Sequence, residues 1–138
     1  MKKIIFIFVA VMLFGLCVKA QYPDGSRIKA AGGSKVYMVS LNQLSEIENE
    51  KVYFQLYKDW NGIVTVAQSV IDGKVKRDVG NMYLAKSNTS KKVYLVVGDY
   101  KRWIESDAAF NRAGFDWDKI VILDDNTLNQ IKNGVNIQ

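Results

Sequence analysis

The sequence contains no histidine, and its single cysteine, Cys17, falls within the first 20 residues. Those absences exclude much chemistry from the rest of the chain. No His-ligated zinc and no Ser-His or Cys-His nucleophile pair can form there. No disulfide can staple it. A strong charge of one sign is also missing. The formal net charge is +5, but Lys2, Lys3 and Lys19 all lie in the first 20 residues. Beyond them stand 16 basic against 14 acidic residues. That near-balance gives no electrostatic basis for nucleic acid as a partner.

What the chain does have begins with MKKIIFIFVAVMLFGLCVKAQ. Lys2 and Lys3 form a positive start, Ile4 to Leu16 an apolar stretch, and Val18-Lys19-Ala20 a site with small residues where a signal peptidase reads. The apolar stretch is shorter than the roughly 20 residues that cross a bilayer. The pattern predicts a secretory signal peptide over 1–20, cut near Ala20-Gln21, and a mature chain with no transmembrane span. Leu16 stands where a lipobox takes a small residue, which argues against a lipoprotein at Cys17. The expected location is secreted or periplasmic. Cleavage leaves 118 of the 138 residues, enough to bury a core without staples.

Those residues repeat. Shifting the chain by 57 places Asp59-Trp60 on Asp116-Trp117, Lys35-Val36-Tyr37 on Lys92-Val93-Tyr94, Val39 on Val96, Ile47-Glu48 on Ile104-Glu105 and Ile63-Val64 on Ile120-Val121. That is 10 identities over residues 35–66 with no gap, against about two by chance. The fold class that follows is α+β. Two tandem units of about 57 residues, 21–78 and 79–138, are expected to pack as a pseudo-twofold pair.

The second unit reads most clearly. KVYLVV, the turn Gly98-Asp99 and YKRWI form a β-hairpin. Ser106 caps a short helix that Gly114 ends. WDKIVIL is a further strand, and Asp124 to Asn126 cap a second short helix running to Gly134. Extended MYLAK precedes the unit. In the first unit SLNQLSEI has no glycine to mark the hairpin turn, and Val52 weakens the helix NEKVYFQLYK. Tyr37, Trp60, Tyr94, Phe110 and Trp117 are expected as the repeat core, because aromatic side chains at repeat positions are usually buried. Each tryptophan would close one end of its unit, with the preceding aspartate capping the turn. The alternative for those rings is sugar stacking.

The second unit resembles a tandem repeat of secreted and surface-attached bacterial proteins, of the form VYLIENGKKRWIPS…F…GFSW..VVVL…L..I..G. The matching residues are Val93-Tyr94-Leu95, Lys101-Arg102-Trp103-Ile104, Ser106, Phe110, Gly114-Phe115, Trp117, Val121, Leu123, Leu128, Ile131 and Gly134. The first unit matches at Asp24-Gly25, Ile28-Lys29, Val36-Tyr37 and Trp60, and lacks both the KRWI strand and the glycine before the tryptophan. The resemblance implies a secreted, non-enzymatic module for adhesion or envelope association.

Catalytic signals are weak. The acids Asp99, Glu105, Asp107, Asp116, Asp118, Asp124 and Asp125 contain no pair marked by spacing as a glycosidase dyad. LDDN at 123–126 lacks the spacing of a calcium loop, and GGS at 32–34 has no GK[ST] after it. No cofactor and no metal are assigned. The best surface candidate is the strip Tyr100, Lys101, Arg102 and Trp103, which would present an aromatic with a cation, or two cations, from one strand face. The expected function is a secreted or envelope-associated binding module without enzymatic activity, for a glycan or other cell-surface component. A small secreted protein-interaction or inhibitor protein is the second reading, and a glycan hydrolase the third.

Overall fold

A computed structural model describes residues 22–138. The expected signal peptide, Cys17 and the expected cleavage point at Ala20-Gln21 lie outside the described residues.

The first unit runs β1 (Arg27–Ala30), β2 (Tyr37–Ser40), β3 (Gln43–Glu46), α1 (Glu50–Tyr53), β4 (Val64–Val66), α2 (Gln68–Asp72) and β5 (Lys76–Arg77). The second runs β6 (Met82–Ser87), β7 (Val93–Val97), β8 (Tyr100–Ile104), α3 (Asp107–Ala113), a 3-10 turn at Trp117–Lys119, β9 (Val121–Leu123), α4 (Asp125–Gln130) and β10 (Lys132–Asn133). Each unit folds its own five-stranded sheet, in the orders β4-β1-β2-β3-β5 and β9-β6-β7-β8-β10. The fold is α+β, and the two sheet units form the pseudo-twofold pair that the repeat implied.

The 57-residue shift holds strand by strand. Arg27 pairs with Met38 as Leu84 pairs with Leu95. Ile28 pairs with Val64 as Ala85 pairs with Val121. Tyr37 pairs with Glu46 as Tyr94 pairs with Trp103, and Leu44 with Lys76 as Lys101 with Asn133. The hairpin turn of the first unit is Leu41-Asn42, at the register of Gly98-Asp99. Both take positive φ, 52° and 58°, which is the backbone that a two-residue I′ turn demands. Leucine adopts it at a cost of about 1 kcal/mol. The Asp24 carboxylate holds the turn by accepting from the Leu41 N–H at 2.7 Å.

One core joins the units. Met38, Ile47, Val52, Tyr53, Leu56 and Tyr57 from the first pack with Met82, Leu84, Leu95, Ile104, Phe110 and Phe115 from the second. The alternate strand residues face the other way. In the first unit Ile28, Tyr37, Val39 and Leu44 are covered by Ile71 of α2. In the second, Ala85 and Val96 are covered by Leu128 of α4. The inner strands of each sheet are therefore covered on both faces, while the edge strands β4, β5, β9 and β10 stay mostly exposed.

Several local expectations need correction. Trp60 and Trp117 are not core: they stay 46% and 44% exposed. Each ring lies over a buried aromatic at the edge of the shared core rather than within it. Tyr37 and Phe110 are buried, and Tyr94 is half-buried. Helix α1 is a single turn ending at Tyr53, shorter than NEKVYFQLYK suggested. Trp117 opens a 3-10 turn, not a strand, and β9 begins only at Val121. Helix α4 ends at Gln130, with Ile131 already extended, so Gly134 does not terminate it.

Candidate ligand-binding face

The candidate face is assembled from three adjacent pieces of the second unit. Ser106 caps α3 by accepting from the Ala109 N–H at 3.1 Å, and α3 then buries Phe110. Gly114, at φ 78°, stops the helix in the left-handed conformation that glycine adopts freely. The chain turns back through Asp116, whose carboxylate accepts from the Asp118 N–H at 3.0 Å. That turn lays the Trp117 indole flat over Phe110, with ring centres 3.8 Å apart and planes inclined by 26°. The Trp117 Nε1–H donates to Asn111 Oδ1 at 2.9 Å. Stacking below and the hydrogen bond at the rim fix the ring while almost half of it stays open.

Trp103, half-buried on β8, stands beside this platform, with the Lys92 ammonium 4.4 Å from its ring centre. Together Trp103, Trp117 and Phe110 line a concavity of about 250 Å³ whose rim includes Lys91, Lys92 and Asp107. Glu105 and Ser106 complete the rim. Donors and acceptors of both signs thus surround two aromatic surfaces. No family model, curated protein or solved structure matches this chain.

The four residues expected as one binding strip part company. Trp103 lines the concavity beside Trp117. Tyr100 is half exposed but lines a different groove, of about 650 Å³, between the two hairpin tips with Leu41 and Val135. Lys101 and Arg102 are not on the surface at all, being 5% and 3% exposed. The Lys101 ammonium donates to the Ile131 carbonyl at 2.5 Å. Arg102 donates from Nε to the Val135 carbonyl, from one terminal nitrogen to Ser40 Oγ and Asp24 Oδ1, and from the other to Asp24 Oδ2. Both cations are spent on internal partners. A strand with one wet face would expose one of the two, but here a carbonyl of the α4 segment takes Lys101, and Asp24 and Ser40 of the first unit take Arg102. The repeat held the correcting signal. The 57-residue shift puts Lys101 and Arg102 on Leu44 and Ser45, and both of those are buried.

The expectation that Trp117 belongs to the core is corrected by its open ring on this face. Its exposure follows from the turn that carries it. The ring projects from a 3-10 turn stapled by Asp116, and so covers the core from outside. Among the described residues, no cluster of three or more acidic or thiol side chains could hold a metal ion, and no helix is long and apolar enough to cross a membrane.

Proposed function

We propose that this protein is a secreted or envelope-associated, non-enzymatic module that binds a glycan through Trp117 and Trp103. The observation that carries the reading is the half-open Trp117 ring, locked over Phe110 and by Asn111. A sugar presents an apolar C–H face to a ring and hydroxyls to its surroundings. A pre-fixed ring loses little conformational freedom when such a face settles on it. Lys91, Lys92, Glu105 and Asp107 supply donors and acceptors at the edge. The concavity, about 250 Å³, lies below the roughly 300–1,000 Å³ of pockets that engulf a small molecule. It suits one ring or so of a longer ligand held at the surface. The signal-like leader and the resemblance to secreted bacterial repeats support an extracellular setting for such a ligand.

The test is a printed glycan array, with purified protein bearing Trp117→Ala or Trp103→Ala beside the parent. Binding of the parent to a defined set of glycans, lost in both variants while their circular dichroism is unchanged, is the expected result. Retained binding in both variants, or capture of protein ligands alone, overturns the reading.

A further inference from the structure

We propose that the protein binds its glycan at two places, and that Trp60 carries the second. The inference rests on the reading of Trp117 just given. Trp60 lies over Tyr53 with ring centres 4.1 Å apart and planes inclined by 24°, almost the geometry of Trp117 over Phe110. Tyr53 and Phe110 occupy the same register of the repeat. Asp59 staples the Trp60 turn by accepting from the Asn61 N–H at 2.9 Å, as Asp116 does for Trp117. The Trp60 ring is braced a second time, edge-on by Phe54 at 5.2 Å, where Trp117 has its bond to Asn111. It is as open as Trp117. The rim repeats too, with Lys35, Glu48 and Glu50 exposed at the positions of Lys92, Glu105 and Asp107.

The two faces differ at one position that matters. Glu46 stands where the second unit has Trp103. Lys35 is consequently 3.0 Å from the Glu46 carboxylate, whereas Lys92 lies over the Trp103 ring. The first face has one aromatic platform and the second has two. The Trp60 site is therefore the weaker, since each stacking ring adds its own contribution.

The platforms are also held rigidly with respect to one another. From Trp60 the rings run through Tyr53, Tyr57, Phe115 and Phe110 to Trp117, in centre-to-centre steps of 4.1, 5.1, 5.7, 5.6 and 3.8 Å. This continuous aromatic path crosses the shared core. Two like faces at a fixed separation suit a ligand that itself repeats, and among glycans that is a polysaccharide or a dense field of one oligosaccharide. A unique peptide epitope offers no second copy of its chemistry to the second face.

Density-dependent binding tests this. The parent, Trp60→Ala, Trp117→Ala, the double variant and Glu46→Trp are applied to one glycan printed at low and high density. Bivalency makes the parent bind the dense spots on the order of 100-fold more tightly than the sparse ones. Trp60→Ala removes that gain and leaves sparse-spot binding intact. Trp117→Ala weakens both, and the double variant binds neither. Glu46→Trp supplies the missing second ring on a partly exposed strand position, and tightens sparse-spot binding several-fold in a manner that Trp60→Ala reverses. If Trp60→Ala matches the parent at both densities, or Glu46→Trp changes nothing, the second site is overturned while the Trp117 site stands. If Trp117→Ala also matches the parent, or only immobilised peptides are bound, the underlying reading falls with it.

Discussion

The Arg102 guanidinium of the second repeat meets the Asp24 carboxylate of the first at 2.9 Å, and Arg102 is the better buried of the two. Ser40 and the Val135 carbonyl accept from two more of its N–H groups. Asp24 in turn accepts from the Leu41 N–H. A single carboxylate thus ties the strained hairpin turn of one unit to strand β8 of the other. Asp24→Asn leaves a buried cation without its counter-charge. It is expected to cost about 3 kcal/mol, near the lower end for broken buried pairs because Asp24 is partly solvated. Denaturant unfolding of the variant and the parent measures it.

The same pair sets an acid limit. Burial alone raises the pKa of Asp24, but the hydrogen bonds from Arg102 and Leu41 and the Arg102 charge outweigh it and hold the carboxyl below its ordinary range. A carboxyl depressed in the folded state contributes stability that is fully present above its unfolded pKa of about 3.9 and is lost as the pH falls through the folded value. Stability of the parent should therefore drop more steeply below about pH 4 than that of Asp24→Asn. Parallel acid-unfolding slopes would remove Asp24 from the account.

Gly25 is a close meeting point between the repeats. Its φ is 86°, and a Cβ placed there falls 2.4 Å from the Ala113 Cβ and 2.9 Å from the Phe115 ring. The carbonyl of Gly25 also accepts from the buried Tyr57 hydroxyl at 2.7 Å. Gly25→Ala pays both backbone strain and a steric clash at a helix that cannot retreat, so a loss of at least about 2–3 kcal/mol is expected. Because the clash is with the other unit, the loss should include inter-repeat packing. Hydrogen exchange should show amides of α3 opening together with those of β1.

The sequence carried the architecture because register is a property of spacing, and the 57-residue shift preserves spacing through every strand pair. It also carried the unmarked turn. Leu41-Asn42 has no glycine, yet the shift sets it on Gly98-Asp99. What it did not carry was which repeated aromatics are covered. Trp60 and Trp117 share composition and neighbours with core rings, and only the three-dimensional turn decides that they cap Tyr53 and Phe110 from outside. Lys101 and Arg102 were misplaced for a related reason. A charged pair on a strand normally marks a wet face, but here a carbonyl of the α4 segment and a carboxylate of the other repeat satisfy the two cations inside. Those partners lie 30 and 78 residues away in sequence, beyond any local pattern.

The two stacked rings of the second unit should separate cleanly in stability. Phe110 is 1% exposed and packs against Phe115 and Trp117. Phe110→Ala opens a cavity in the shared core and removes the floor under Trp117, at a cost of about 3–5 kcal/mol. Trp117 keeps nearly half of its surface in water, so truncation returns only about half of an aromatic area to solvent. At roughly 25 cal/mol per Å² over about 100 Å², less the compactness of the unfolded chain, that is about 1–2 kcal/mol. A domain of this size holds about 5–15 kcal/mol in all. Trp117→Ala should therefore remain folded at room temperature, with a modest downward shift in its urea midpoint, while Phe110→Ala is barely stable. The order matters for function as well as folding. A ring that evolved only to seal the core would be worth as much as the ring beneath it. If Trp117→Ala proved as destabilising as Phe110→Ala, the open tryptophan would be a lid on the core, and the glycan face would lose its principal residue.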